Sequence, residues 1–382
     1  MAYEIKKFPY AGTIDADGHV LEPADLWENY LEQKFKPRAL RIRVGDDGYE
    51  YLEVDGRPAS RVEKGALGIL GAMGSDDFVP RPDRRYADGR PFGASDPRER
   101  LELLKQENLE AVLLYPTLGI LWETDVKDPE LALAYSRAYN RWIADFCRNS
   151  SGRLVPIAQL TLQDPEGSAV ELERAVKDGC KGAWVTSFSH GRVLHGDPRH
   201  DVLFAKCCEL DVPLAIHPTL TPHGTAAGIF DWPEHSRQWG EQLWLRGIVQ
   251  QAFISFFSFG TFDRFPKLRM GVLESGAGWV GAMLDRLDAF TESFKFGGKR
   301  LTATEYFRRQ CFISSDPDET AAPHTIDHVG ADCFIWATDY PHPDHPHTWV
   351  DDLKRFANVL APATRAKVLG ANVKRIYRLN LQ

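Results

Sequence analysis

The stretch 181–218, KGAWVTSFSHGRVLHGDPRHDVLFAKCCELDVPLAIHP, holds the unit from which the fold is read. Gly182–Thr186 is a short apolar run containing a tryptophan and β-branched residues, which predicts a buried strand. Asp197-Pro198 supplies cap and first-turn chemistry, so Pro198–Leu210 predicts a helix. Val212–His217 is a second apolar run, and its last residue is histidine. Strand, helix and strand in that order imply two parallel strands joined by a helical crossover.

The same rhythm runs outward in both directions. Candidate strands are Gly12–Asp17, Ala111–Tyr115, Leu154–Ile157, Gly182–Thr186, Val212–His217, Arg269–Leu273, Cys311–Ser314 and Phe334–Thr338. Between them lie candidate helices Asp96–Glu107, Pro129–Asn149, Pro165–Asp178, Pro198–Leu210, Gln242–Phe253, Gly278–Asp288 and Glu319–Val329. Eight strand–helix units predict an α/β protein of the (β/α)8 TIM-barrel type. An open doubly wound sheet competes less well, because no Gly-x-Gly-x-x-Gly opens a helix after the first strand. One region breaks the rhythm, an insertion at 36–95 within a single domain spanning 1–382. Arg41–Val44 and Glu50–Val54 alternate around Gly45-Asp46-Asp47-Gly48 and predict a hairpin; the rest reads as irregular loops. An insertion of that length after a first barrel strand is expected over the active face or in a subunit contact.

The chain has 382 residues, 43% of them apolar, and a formal charge of −8. Its length allows a core that needs no disulfide or metal for stability, so a metal would serve chemistry. The acidic balance argues against nucleic acid or an anionic membrane as partner. The six cysteines lack Cys-x-x-Cys spacing and are expected to be reduced and buried. No apolar leader or spanning segment is evident, and a cytoplasmic location is expected. A small-molecule substrate and assembly as a homo-oligomer, a dimer, complete the expectation.

Chemistry concentrates where strands end. Asp17 and His19 stand two apart at the end of the first strand, on one face and roughly 6.5 Å between α-carbons, a chelating spacing. His217 closes the fifth strand and Asp339 follows the eighth. In a closed barrel these ends share one mouth, so Asp17, His19, His217 and Asp339 can hold one divalent ion, Zn2+ or alternatively Mn2+. Glu274 occupies the matching position after the sixth strand, as a fifth ligand, an acid/base or a partner for a bound histidine. Asp339 can also exchange a proton, and His342 lies close enough to join it. His345 and His347, separated by prolines, are expected to solvate their loop. His190, His195, His223 and His235 follow strands four and five within reach of a substrate. Tyr115, Ser187, Phe188, Trp232 and Trp239 are expected to wall an aromatic pocket.

With these residues in place, the chain resembles the amidohydrolase superfamily, in the branch of aminocarboxymuconate semialdehyde, γ-resorcylate and 5-carboxyvanillate decarboxylases. The segments that carry the resemblance are IDADGHVLEP at 14–23, VPLAIHP at 212–218, FDRFPKLRMGVLESGAGW at 262–279, YFRRQCFISSD at 306–316 and WATDYPHPD at 336–344. The resemblance implies a distorted barrel and one divalent ion on Asp17, His19, His217 and Asp339. Asp17 stands where His or Glu is usual, and Glu274 where many members have a catalytic histidine. It further implies a lyase that removes CO2 from a hydroxylated aromatic or unsaturated carboxylic acid. The alternative is hydrolysis of a C–N, C–O or activated C–C bond by metal-bound water.

Overall fold

The first strand, β1 (Thr13–Val20), is buried along its whole length. A small antiparallel sheet follows, made of β2 (Arg41–Val44), β3 (Glu50–Val54) and β4 (Arg57–Pro58). Then come β5 (Leu109–Pro116), β6 (Leu154–Gln159), β7 (Gly182–Thr186), β8 (Leu214–His217), β9 (Met270–Val272), β10 (Cys311–Ser315) and β11 (Phe334–Trp336). The eight long-range strands pair in parallel in the order β1-β5-β6-β7-β8-β9-β10-β11. This computed structural model describes residues 3–222, 237–294 and 301–381.

The sheet closes at its mouth through the chain that follows β11. Asp339 N–H donates to the Asp17 carbonyl (2.9 Å) and His19 N–H to the Tyr340 carbonyl (2.8 Å). The Asp15 carboxylate adds two bonds, from Thr338 N–H (3.0 Å) and Thr338 Oγ (2.6 Å). Inside the barrel, Ile14, Ala16, Leu113, Ile157, Trp184 and Phe312 form a packed core. A larger apolar layer lies between the strands and the surrounding helices.

Every predicted strand is present. The helices open as their caps foretell: Asp96, Asp128 and Asp164 each accept backbone N–H bonds ahead of a first-turn proline. Pro198–His200 is instead a separate turn before the helix Asp201–Glu209. The last predicted helix begins at Ala322, not Glu319. The Glu319 carboxylate accepts from Ala277 and Gly278 N–H (2.8 and 2.6 Å), which fills the glycine-rich loop after β9 with the protein's own anion.

The predicted hairpin forms and gains the third strand β4. The insertion reaches the barrel mouth, where Met73 N–H donates to the Pro341 carbonyl (3.2 Å). All six cysteines are free thiols, five of them buried. Among the described residues, no helix is long and apolar enough to cross a membrane.

Candidate metal centre

β1 does not deliver Asp17 and His19 by simple alternation. Ile14 and Ala16 face the barrel interior, so strict period-two geometry would turn residue 17 outward. The pairing with β5 slips between Asp15 and Gly18, which pair with Val112 and Leu114. That bulge resets the faces and brings both Asp17 and His19 inside. Gly18 permits it, because a Cβ there would lie 2.6 Å from both Arg100 Nη2 and Val112 Cγ2.

Asp17, His19, His217 and Asp339 are all buried at the mouth. His19 Nε2 lies 3.6 Å from Asp17 Oδ1 and 2.9 Å from Asp339 Oδ1; His217 Nε2 lies 3.6 Å from Asp17 Oδ2. Each imidazole is oriented from behind. His19 Nδ1 donates to the Pro116 carbonyl (2.7 Å) and His217 Nδ1 to the Pro218 carbonyl (2.6 Å). Those carbonyls can only accept, which assigns the proton to Nδ1 and turns each Nε2 lone pair inward. Burial, with His19 beside it, pushes His217 down to about 3. Burial and neighbouring His342 also lower His19. Both rings are therefore neutral near pH 7.

The inward atoms are acceptors facing acceptors. Asp17 Oδ1 and Oδ2, His19 Nε2, His217 Nε2 and Asp339 Oδ1 are buried with no hydrogen-bond partner. Burial, reinforced by the charges of Asp339 and Asp15, holds the Asp17 carboxyl well above its ordinary range. Such a group is costly unless something positive sits between its members. Mixed imidazole and carboxylate donors of this kind fit a divalent cation.

Asp339 also carries a second set of contacts. Its Oδ2 accepts from His342 Nδ1 (3.0 Å), and His345 Nδ1 lies 2.9 Å from it as an ion-pair contact. Burial alone would raise this carboxyl, but His342, His345 and His19 hold it well below the usual carboxylate range. His342 Nε2 reaches Thr117 Oγ1 (2.9 Å), and His345 Nε2 lies 3.8 Å from Asp316. The expectation that His345 merely solvates its loop is thus corrected: its side chain is 12% exposed and sits against Asp339. His342 N–H returns to the Asp339 carbonyl (2.9 Å), and this turn folds the proline-rich loop back over the centre.

Glu274 is partly buried, with Oε2 3.4 Å from His217 Nε2. It and His345 border a cavity of about 130 Å³ that also touches Pro218, Arg246 and Asp316. Among the described residues of that lining, Arg246 is the one lysine or arginine, 4.0 Å from Asp316.

Of the residues expected to wall an aromatic pocket, Tyr115, Ser187 and Phe188 lie in the described part of the chain. Tyr115 is fully buried, stacks on His217 with ring centres 5.7 Å apart and turns its hydroxyl to Tyr377. It backs the His217 ring and is not among the described residues that border the 130 Å³ cavity. Ser187 is buried with its Oγ unpartnered, and Phe188 packs edge-on against His190 (5.3 Å). Trp232, His223 and His235 and the Trp239 side chain lie outside the described residues. His195 is buried and bonded to the Thr186 carbonyl, a packing role.

Sequence reasoning missed Glu22. Its buried carboxylate accepts N–H bonds from Thr117, Leu118 and Gly119 (2.8–3.1 Å), fixing the loop that presents the Pro116 carbonyl to His19 and Thr117 to His342. A glutamate three residues beyond a chelating pair was the available signal.

A family profile described as amidohydrolase matches residues 14–379. A γ-resorcylate decarboxylase of Rhizobium radiobacter is 27% identical over 327 residues, covering 80% of this chain and 94% of that protein. Among solved structures, an amidohydrolase from Mycobacterium avium subsp. paratuberculosis K-10 superposes with a TM-score of 0.75 at 20% identity, over 96% of this chain and 99% of the other. The 5-carboxyvanillate decarboxylase of Sphingomonas paucimobilis gives 0.68 at 21%, over 97% and 100%. A dihydroxybenzoic acid decarboxylase from Polaromonas sp. JS666, solved with manganese and 2-nitroresorcinol, gives 0.65 at 18%, over 97% and 98%.

Proposed function

Because this chain belongs to the amidohydrolase family and is an enzyme of that superfamily, we propose that it is a metal-dependent, non-oxidative decarboxylase of a hydroxylated aromatic carboxylic acid. The observation that carries the reading is the set of five buried, unpartnered atoms of Asp17, His19, His217 and Asp339 turned toward one another. These four residues would hold one divalent ion. Mn2+ is favoured over Zn2+ by the two carboxylates of the donor set and by the manganese in the Polaromonas structure.

When bound, the ion supplies positive charge that draws an anionic substrate oxygen and stabilises negative charge developing on the ring. The protein's own groups do the rest. Arg246 at the cavity rim attracts the anionic acid, and Tyr115 and the Pro116 and Pro218 carbonyls keep the imidazoles aimed. A proton held by His342, whose hold on it neighbouring Asp339 strengthens against the effect of burial, passes through Asp339 Oδ2 to the ring carbon that bears the carboxylate. That carbon gains the proton, the bond to the carboxyl carbon breaks with its electron pair retained by the ring, and CO2 leaves.

The test is incubation of Mn2+-reconstituted protein with 2,6-dihydroxybenzoate and 5-carboxyvanillate in D2O. Release of CO2 with one deuterium at the vacated ring carbon is expected. No CO2 from such acids, together with turnover of ester or amide substrates, would favour the hydrolytic alternative. The observation that favours that alternative is Glu274, a carboxylate beside the centre able to accept a proton from water.

A further inference from the structure

We propose that Glu274 is a fifth ligand of the same ion, so that this protein grips its metal with three carboxylates and two imidazoles. The inference rests on the reading of Asp17, His19, His217 and Asp339 as a metal site. Donor atoms of His217, Glu274 and Asp339 all lie within 4.8 Å of one another, and so do those of Asp17, His19 and His217. His217 belongs to both sets, which therefore surround one place. Two ligands at about 2.0–2.2 Å from an ion can stand no more than about 4.4 Å apart, and Glu274 Oε2 is 3.4 Å from His217 Nε2.

That contact is not an ordinary hydrogen bond in the neutral ring's assigned form. The His217 proton is committed to the Pro218 carbonyl, so its Nε2 lone pair faces a carboxylate oxygen. A cation between them satisfies both, and it satisfies Asp17, His19 and Asp339 at the same time.

The backbone supplies a second, independent observation. Glu274 has φ +44° and Asp339 φ +57°, left-handed conformations that disfavour side chains. Both occur just past a strand end, and both turn a carboxylate inward. Glu274 is pinned there by its N–H donating to Ser314 Oγ (3.1 Å). A donor set of three oxygens and two nitrogens suits Mn2+, which accepts oxygen-rich, higher coordination, better than Zn2+, whose catalytic sites are built from three protein ligands.

The experiment measures metal affinity directly. Wild type, E274Q and E274H are stripped with chelator and their apo melting temperatures compared. Mn2+ affinity is read from the electron paramagnetic resonance signal of free Mn2+, and Zn2+ affinity by competition with a chromophoric chelator. E274Q is expected to bind Mn2+ at least tenfold more weakly, with Zn2+ affinity falling less. E274H, which restores a nitrogen donor, is expected to shift preference toward Zn2+. Mn2+ affinity within twofold of wild type in both variants would overturn the fifth ligand while leaving the four-residue site intact. Failure of wild type to bind either ion would overturn the site itself, and the fifth ligand with it.

Discussion

At the scale of single residues the account turns on Asp339, whose two oxygens have different neighbours. Oδ1 faces His19 and the inward donors, while Oδ2 is bonded by His342 and has the His345 imidazole beside it. D339N is therefore expected to lose bound metal and to lower turnover by roughly a thousandfold or more, and metal analysis with steady-state kinetics checks both. H345A is expected to keep a full complement of metal yet lose roughly 10–100-fold in kcat; unchanged kcat would reduce His345 to a cover. Sequence spacing gave no warning of this, because interleaved prolines read as an extended chain and the turn at Asp339 reverses it. Glu123 offers a test of stability. It is fully buried with Gln159 Nε2 as its side-chain partner (2.9 Å), and burial pushes its carboxyl up to about 8. Its folded pKa lies above the ordinary value near 4.5, so its contribution is full below that pH and is lost as pH rises through about 8. Urea midpoints at pH 5, 7 and 9 should fall less steeply for E123Q than for wild type; parallel slopes would contradict the assignment.

At the scale of elements, the eight strands and their order were legible because each is a short apolar run bounded by polar residues and a capped helix. The Asp17–His19 pair was legible as well, but its route inward was not. Alternation from Ile14 and Ala16 points the pair away from the core, and only the slipped pairing between Asp15 and Gly18 corrects it. A bulge has no apolar signature, since it depends on what a missing Cβ allows across the strand. G18A should cost about 1–3 kcal/mol of stability, because Arg100 and Val112 must shift, and it should weaken metal binding at least as much as it lowers the melting temperature. Chemical denaturation and metal titration of the same variant check both effects. The helix expected from Glu319 illustrates the converse. Its first residues are diverted because that carboxylate fills the N–H groups of Ala277 and Gly278, a tertiary demand that local capping rules do not register.

For the whole molecule, the barrel explains why donors more than 300 positions apart in sequence meet. Asp17 and Asp339 belong to the first and last strand units, and the backbone bond between them closes the mouth. The expected aromatic wall was the least legible part, because nothing in the sequence separates a pocket face from a supporting one. Tyr115 took the second role, stacked on His217. The most direct measurement is a crystal of the Mn2+-loaded protein examined by anomalous scattering at the manganese edge. One peak per chain is expected, at roughly 2.0–2.3 Å from donor atoms of Asp17, His19, His217 and Asp339, and it should vanish in H217A. A wild-type map with no peak there, or with its ion held elsewhere by other residues, would contradict the account.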